Sequence, residues 1–467
     1  MTSRCESPCS GSDIVRLDAL GPNGDYRTRN REIITDTAGV AVAALSIVPE
    51  LFVARSIATQ RRIHPLPLAQ RQAALKKSAD IFRYAQIAGL DFESYVTRVT
   101  RVSGLPIAIT RAGALEVAAA LGQTPDAVCV ARPMGSVCDW RDELTRSGSG
   151  VWVRRGEVLA VHASANHPGV HSGWPQALAL GYRVAVRPSR REPFTAHRVV
   201  MALRQAGFRP EDVLYLPADH AGADEMIRAA DLAIVFGGRD VVDTYGADPR
   251  VLVNGPGQSK ILVTAEQNWR DYLDLIVDSI SNRGGMACQN ATAVLYEGDP
   301  APLAEAIAEQ LALIPALPAG DETALLPTRP IGQAHALAEY VAAKAAGSIS
   351  LLGADHVIGD LGDGSAALRP AVHLLNAPEV DKLNIEVPFP CVWVSAWSRN
   401  DGLAPLRNSL VITAITSDEQ LIDDLLAEPT VTNLYRGRHP THFSATWMPH
   451  NGYLAEFLMR SKGFIRD

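Results

Sequence analysis

The apolar positions of this chain change period as it proceeds. Across 67–88 they recur at helical spacing, with Ala74, Leu75, Ser78, Ile81 and Phe82 on one face, and amphipathic runs follow at 92–102 and 107–121. Together they predict a helical lead-in. Beyond it the apolar segments shorten and are broken by Gly, Pro and charged pairs. Ala127-Val128-Cys129-Val130 and Gly150-Val151-Trp152-Val153 flank a polar stretch and predict a strand pair that projects from the body. Strands are then expected at 158–163, 183–187, 213–216 and 232–236, with helices at 174–180, 196–206 and 223–229 between them. That alternation predicts βαβ units on a parallel sheet, and 158–253 reads as a nucleotide-type α/β domain. A second α/β unit follows, with strands at 260–263, 292–296, 349–352, 371–375 and 391–395, helices at 269–281 and 301–313, and a Pro-rich link ending near Pro330.

A length of 467 residues suggests about three domain-sized units, and 47% apolar residues is ordinary for a globular enzyme. The net charge of -7 leaves no broad basic face, and the Arg154-Arg155 and Arg190-Arg191 pairs are too short to make one, so nucleic acid is not an expected partner. The apolar stretch 38–54 is interrupted by Pro49 and Glu50 and falls short of the roughly 20 residues a bilayer crossing needs. No membrane segment is expected. Residues 1–13 are polar, without the basic-then-apolar order of a secretory signal, and read as a flexible tail. Six cysteines, at 5, 9, 129, 138, 288 and 391, are dispersed without zinc-ligand spacing. They read as reduced thiols of a cytoplasmic chain, with no metal site.

One of these cysteines stands apart. Cys288 ends the run Asn282-Arg283-Gly284-Gly285-Met286-Ala287-Cys288, and the glycine pair permits the close backbone approach that a nucleophile loop needs. A cysteine attacks as thiolate, which nearby N–H groups or positive charge favour. The other five read as structural.

The surroundings of Cys288 resemble the aldehyde dehydrogenase superfamily over most of the chain. Asn166-His167-Pro168 is similar to that family's Asn-x-Pro, Phe236-Gly237-Gly238 to its Phe-Thr-Gly-Ser turn, and Gly285-Met286-Ala287-Cys288 to its Gly-Gln-x-Cys, in family order. Arg187-Pro188-Ser189-Arg190 resembles Lys-Pro-Ser-Glu, and Glu386-Val387-Pro388-Phe389-Pro390 resembles Glu-x-Phe-Gly-Pro with the phenylalanine displaced. The resemblance implies two Rossmann-like parallel-sheet domains plus a β-hairpin oligomerisation element. Its boundaries would be 1–125 and 154–255 for dinucleotide binding, 256–439 for catalysis, and 126–153 with 440–467 for assembly. It implies Cys288 as nucleophile, Asn166 as oxyanion donor, and Arg187, Ser189, Arg190, Phe236, Gly237, Gly238 and Glu386 against the dinucleotide. An arginine at 190 suits the 2′-phosphate of NADP, but it reads equally well as a solvated charge beside NAD.

The departure that matters is Val253-Asn254-Gly255-Pro256-Gly257-Gln258-Ser259-Lys260, in the place of the family's Glu-Leu-Gly-Gly-Lys. Asn254 cannot act as the general base. A thiol, which ionises more readily than water, has less need of one. The resemblance therefore implies an acylating enzyme that exchanges aldehyde and acyl thioester with coenzyme A or a carrier-protein thiol, and Gly-Pro-Gly-x-Ser-Lys is similar to the long-chain acyl reductase branch. Hydrolytic oxidation, with Glu456 or His171 as the base, is the alternative. A non-catalytic scaffold is a third reading. A homodimer or homotetramer is expected, with Trp152, Trp447 and Phe457 at interfaces or in the core.

Overall fold

The computed structural model describes residues 14–445 and 447–467; the expected tail, with Cys5 and Cys9, lies outside the described residues. Two seven-stranded sheets organise the chain. In the first, the spatial order is Val251–Asn254, Leu232–Phe236, Val158–His162, Arg183–Arg187 and Val213–Tyr215, all parallel, followed by the antiparallel strands Ala19–Gly21 and Gly24–Tyr26. These parallel strands are buried on both faces because helices cover them, which is why they read as continuous apolar runs. The chain first builds outward on one side of Val158–His162 and then returns to build Leu232–Phe236 on its other side. That reversal opens a crevice beyond the carboxyl ends of the two strands.

The second sheet runs Ile349–Leu352, Ala371–Leu374, Cys391–Ala396, Ala291–Tyr296, Ser259–Val263, Ser409–Ile415 and Val431–Arg436, parallel except for its first edge strand. Its centre is buried, with Trp393 and Val394 fully enclosed.

The three lead-in helices form where their period places them, as Leu68–Tyr84, Phe92–Ser103 and Ile107–Ala127. Asp91 caps the second by accepting from the Ser94 N–H at 2.7 Å, and Gly104 ends it at φ 72°. They are not the first elements. Val15–Leu17, Ala41–Ser46 and Arg31–Thr35 make a three-stranded sheet ahead of them, from runs too short to show alternation.

The strand expected at 127–130 does not form. The helix continues to Ala127 and turns out through Val128, because a four-residue apolar run at the end of an Ala- and Leu-rich helix has no period of its own. Gly150–Val153 is extended as expected, within Ser149–Arg154, but its antiparallel partner is the C-terminal strand Met459–Phe464. Trp152 is buried, Phe457 is half-buried under Arg155, and Trp447 is exposed. Among the described residues, no single helix is long and apolar enough to cross a membrane.

Candidate active site

Cys288 sits just before Ala291–Tyr296, at the amino edge of the second sheet, on a loop whose shape is set by its backbone. Arg283, Gly284 and Gly285 take φ values of 51°, 70° and 68°. At Gly285 a Cβ would lie 2.4 Å from the Pro390 nitrogen, so glycine is required both by conformation and by space. Asn290 fastens the turn. Its side-chain carbonyl accepts from the Ala287 N–H at 2.8 Å, and its amide donates to the Ser279 and Asn282 carbonyls at 3.1 and 2.9 Å. From the other side Gly257 presses directly on the nucleophile, where a Cβ would lie 1.6 Å from the Cys288 carbonyl oxygen. Ser259 Oγ donates to that same oxygen at 3.2 Å.

Asn166 reaches this loop from the first sheet. It follows Val158–His162 at the crevice, and its Nδ2 donates to the Met286 carbonyl at 3.2 Å while its Oδ1 accepts from Ser164 Oγ at 2.5 Å. One residue separates Met286 from Cys288, so Asn166 is bonded to the loop that carries the nucleophile. Arg283 adds a second link across the crevice through its 2.8 Å ion pair with Glu116.

The electrostatics oppose a standing thiolate. Burial, followed by the charge of Glu386, pushes the Cys288 thiol up to about 12, against the smaller opposing pull of its own N–H, Arg283 and the Gln289 N–H. Glu386 Oε2 accepts from the Gly257 and Gln258 N–H groups at 2.7 and 3.0 Å, so this carboxylate braces the 254–258 loop. Crowding in the cleft raises its pKa in spite of those two donors. Lys260, one strand position beyond the loop, is fully buried and donates to the Gln258 and Arg407 carbonyls and to Ser409 Oγ.

The motif did not reveal the imidazole beside the sulfur. His450 Nε2 lies 3.5 Å from Cys288 Sγ. Its loop is tied down on both flanks: Asn433 Nδ2 donates to the His450 carbonyl at 2.7 Å, and Asn451 Nδ2 donates to the Val253 carbonyl at 3.1 Å. The residue is accessible to solvent, yet its ring is crowded, and desolvation together with Arg283 lowers its pKa. No sequence signal could have found it, since a single histidine 162 residues from the cysteine belongs to no local pattern.

Residues 158–410 match the aldehyde dehydrogenase family. The chain belongs to that family. A comparison with curated proteins finds no match. Among solved structures, the gamma-glutamyl-gamma-aminobutyraldehyde dehydrogenase of Burkholderia cenocepacia J2315 is similar in fold, with a TM-score of 0.80 at 16% identity over 96% of this chain and 95% of that one. The NAD-dependent aldehyde dehydrogenase of Sinorhizobium meliloti has a TM-score of 0.80 at 16% identity, over 96% and 94%. An indole-3-acetaldehyde dehydrogenase complexed with NAD+ gives 0.78 at 14% identity, over 96% and 95%.

For a member of the aldehyde dehydrogenase family, the positions opposite the crevice can be tested against a dinucleotide. Arg187, Ser189 and Arg190 leave the carboxyl end of Arg183–Arg187, and Phe236, Gly237 and Gly238 leave that of Leu232–Phe236. A Cβ on Gly237 would fall 2.2 Å from Val241 Cγ2, so this turn has to be bare backbone. Cationic groups, a hydroxyl and a bare turn at carboxyl strand ends form a donor set that fits a pyrophosphate-bearing cofactor. Two of these residues already have partners: Arg187 Nε donates to the Ala218 carbonyl at 3.0 Å, and Arg190 pairs with Glu32 at 3.2 Å.

The two bases considered for hydrolysis differ in burial. His171 is fully buried, accepts from Trp174 Nε1 at 3.1 Å, and is lowered to about 3 by burial. Glu456 is exposed on the short helix Leu454–Leu458. Asn254 ends Val251–Asn254, with its backbone carbonyl accepting from the Gly237 N–H at 3.1 Å.

Proposed function

We propose that this aldehyde dehydrogenase is an acylating enzyme, interconverting an aldehyde and an acyl thioester through a Cys288 thioacyl intermediate, with coenzyme A or a carrier-protein thiol as acyl partner. The observation that carries it is that, among the described residues, neither position 254 nor Glu386 offers a free carboxylate to water. Position 254 is an asparagine, and Glu386, the carboxylate whose charge Cys288 feels, is held by two backbone N–H groups.

Each role in this reading has a residue to carry it. Cys288 forms the bond to the carbonyl carbon. Asn166 and the Cys288 N–H stabilise the oxygen as it takes up charge. NAD or NADP, held by Arg187, Ser189, Arg190 and the 236–238 turn, supplies the hydride acceptor or donor. A NAD+ complex of an indole-3-acetaldehyde dehydrogenase with the same fold supports that class of cofactor. Glu386 braces Gly257 beside Cys288 through Oε2 and meets the nicotinamide ribose.

The experiment is incubation with NADH or NADPH and a panel of acyl-coenzyme A thioesters, with Cys288→Ala as control. Cysteine-dependent dinucleotide oxidation supports the reading. No oxidation with any thioester ends it. Hydrolysis to a carboxylate is the second reading, and the imidazole 3.5 Å from Sγ is what favours it; coenzyme A-independent aldehyde oxidation would establish it. For assembly, the expectation is a homodimer or homotetramer built on the two-stranded sheet of Ser149–Arg154 and Met459–Phe464, beside which Leu144 and Ile465 are exposed. A monomer by light scattering would exclude that.

A further inference from the structure

The family's carboxylate position holds an amide, so the proton that leaves a thiol on attack needs another destination. We infer that Cys288 and His450 form a proton-transfer pair, with His450 Nε2 as the general base and acid of the reaction. The inference rests on the Cys288 thioacyl reading, but not on whether a thiol or water accepts the acyl group.

Three observations carry it. Nε2 is 3.5 Å from Sγ, hydrogen-bonding distance for a sulfur donor, with no intervening group required. The ring is delivered by a fastened loop, since Asn433 holds the His450 carbonyl and Asn451 holds Val253, the neighbour of Asn254. The imidazole therefore comes into the site from beside the very strand end that lacks the acid. Finally, the charged groups acting on the pair suit a neutral acceptor. Burial and then Arg283 disfavour imidazolium at rest, and burial and then Glu386 disfavour thiolate. The resting pair is thiol and imidazole, not an ion pair.

The proton balance is simple. As Sγ bonds to the carbonyl carbon of an aldehyde or thioester, the C=O π pair moves to oxygen and the S–H proton passes to Nε2. From a thioester, the tetrahedral adduct collapses, the bond to the outgoing sulfur breaks with its pair, and Nε2 returns the proton to that sulfur. In the opposite direction the proton taken up by Nε2 during aldehyde attack is lost to solvent once the hydride has gone to the dinucleotide; an entering thiol then gives its proton to Nε2 while the C–Sγ bond breaks, and Sγ recovers it. Apart from that hydride transfer, nothing is oxidised or reduced in these steps.

The test uses the full-length protein and His450→Gln, which keeps a polar side chain of similar reach, together with His450→Ala. Single-turnover acylation of Cys288 by an acyl-coenzyme A is followed by intact mass, and alkylation by iodoacetamide gives a readout that needs no knowledge of the natural substrate. Both variants should lose about 10²–10⁴-fold in acylation at pH 7, slow in alkylation by at least about tenfold, and keep the wild-type melting temperature. Added imidazole should restore His450→Ala in proportion to its concentration, which a purely structural role would not allow. Acylation and alkylation in His450→Gln within threefold of wild type would overturn the pair. If the thioester acylates neither protein, alkylation alone decides: slowed alkylation with imidazole rescue sustains the pair while the thiol-acceptor reading falls, and unchanged alkylation overturns the pair.

Discussion

Gly257→Ala isolates what the close approach to Cys288 does. Gly257 has no positive φ, so alanine there carries no conformational penalty and the effect is steric alone. The new Cβ would lie 1.6 Å from the Cys288 carbonyl oxygen and 2.4 Å from its carbon, and relief to 3.0 Å requires about 1.4 Å of movement. Gly257 cannot supply it easily. Its N–H donates to Glu386 and its carbonyl accepts from the Leu410 N–H at 2.8 Å, so the chain is fixed on both sides. The displacement passes to Cys288 and its oxyanion geometry. A misplacement of about 1 Å typically costs 10²-fold, so kcat/KM should fall by about 10² or more, equivalent to about 2.7 kcal/mol in the barrier. Overpacking should cost about 1–3 kcal/mol of stability, which leaves the fold intact in a melting experiment. Steady-state NAD(P)H production from an aldehyde panel is the assay. Gly332→Ala is the control, because a Cβ there meets nothing within 4 Å. If Gly257→Ala keeps more than a third of wild-type kcat/KM, the packing of the 257 backbone on Cys288 does not hold the nucleophile in place.

Other substitutions probe the remaining roles. Asn166→Ala should lose about 10²–10³-fold in kcat, the usual cost of removing one oxyanion donor, and full activity would remove Asn166 from that role. Asn254→Glu should raise coenzyme A-independent carboxylate formation by at least about tenfold, since a placed base contributes about 10²–10⁴; no gain by product analysis would mean that position 254 does not reach the acyl carbon. Arg190→Ala should raise KM for NADPH by about tenfold or more and leave that for NADH within twofold; equal effects would leave Arg190 as the surface partner of Glu32. Burial lowers Lys260 to about 7, well below its unfolded value of about 10.4. Between these values the unfolded chain binds the proton and the folded one does not, so stability gained relative to Lys260→Met should rise as pH goes from 7 towards 10. Urea melts at pH 6.5 and 9.5 showing a constant difference would refute that.

What the sequence disclosed and what it hid divide along contact range. The parallel strands were legible because burial on both faces writes continuous apolar runs such as Leu232 to Phe236. The Cys288 loop was legible because its glycines are demanded by local backbone geometry, and Asn166 donates to the Met286 carbonyl of that loop. Partners distant in sequence left no trace. The Glu386 carboxylate accepts from the Gly257 N–H, 129 residues away, and Arg190 pairs with Glu32, contacts that no local pattern encodes. The strand predicted at 127–130 failed for the opposite reason. A four-residue apolar run has no period of its own, and the helix before it continues through its first residue, Ala127.

The hidden contacts change the chemical picture more than the visible motifs do. Burial, followed by the charge of Glu386, pushes the Cys288 thiol up, which disfavours a standing thiolate as the working nucleophile. Stabilising that thiolate beforehand would require cations that the site does not place on the sulfur; Arg283 is committed to Glu116, and Glu386 acts against ionisation. The alternative is to remove the proton only as the carbon–sulfur bond forms, which demands an acceptor within hydrogen-bonding distance of Sγ before the carbonyl arrives. His450 meets that demand at 3.5 Å. A neutral thiol also resists adventitious oxidation and alkylation between turnovers. On this logic the loss of the acid at position 254 and the presence of an imidazole on the C-terminal loop belong together: the proton traffic of the reaction runs through the sulfur's own neighbour, and the acceptor thiol meets the same base that the nucleophile used.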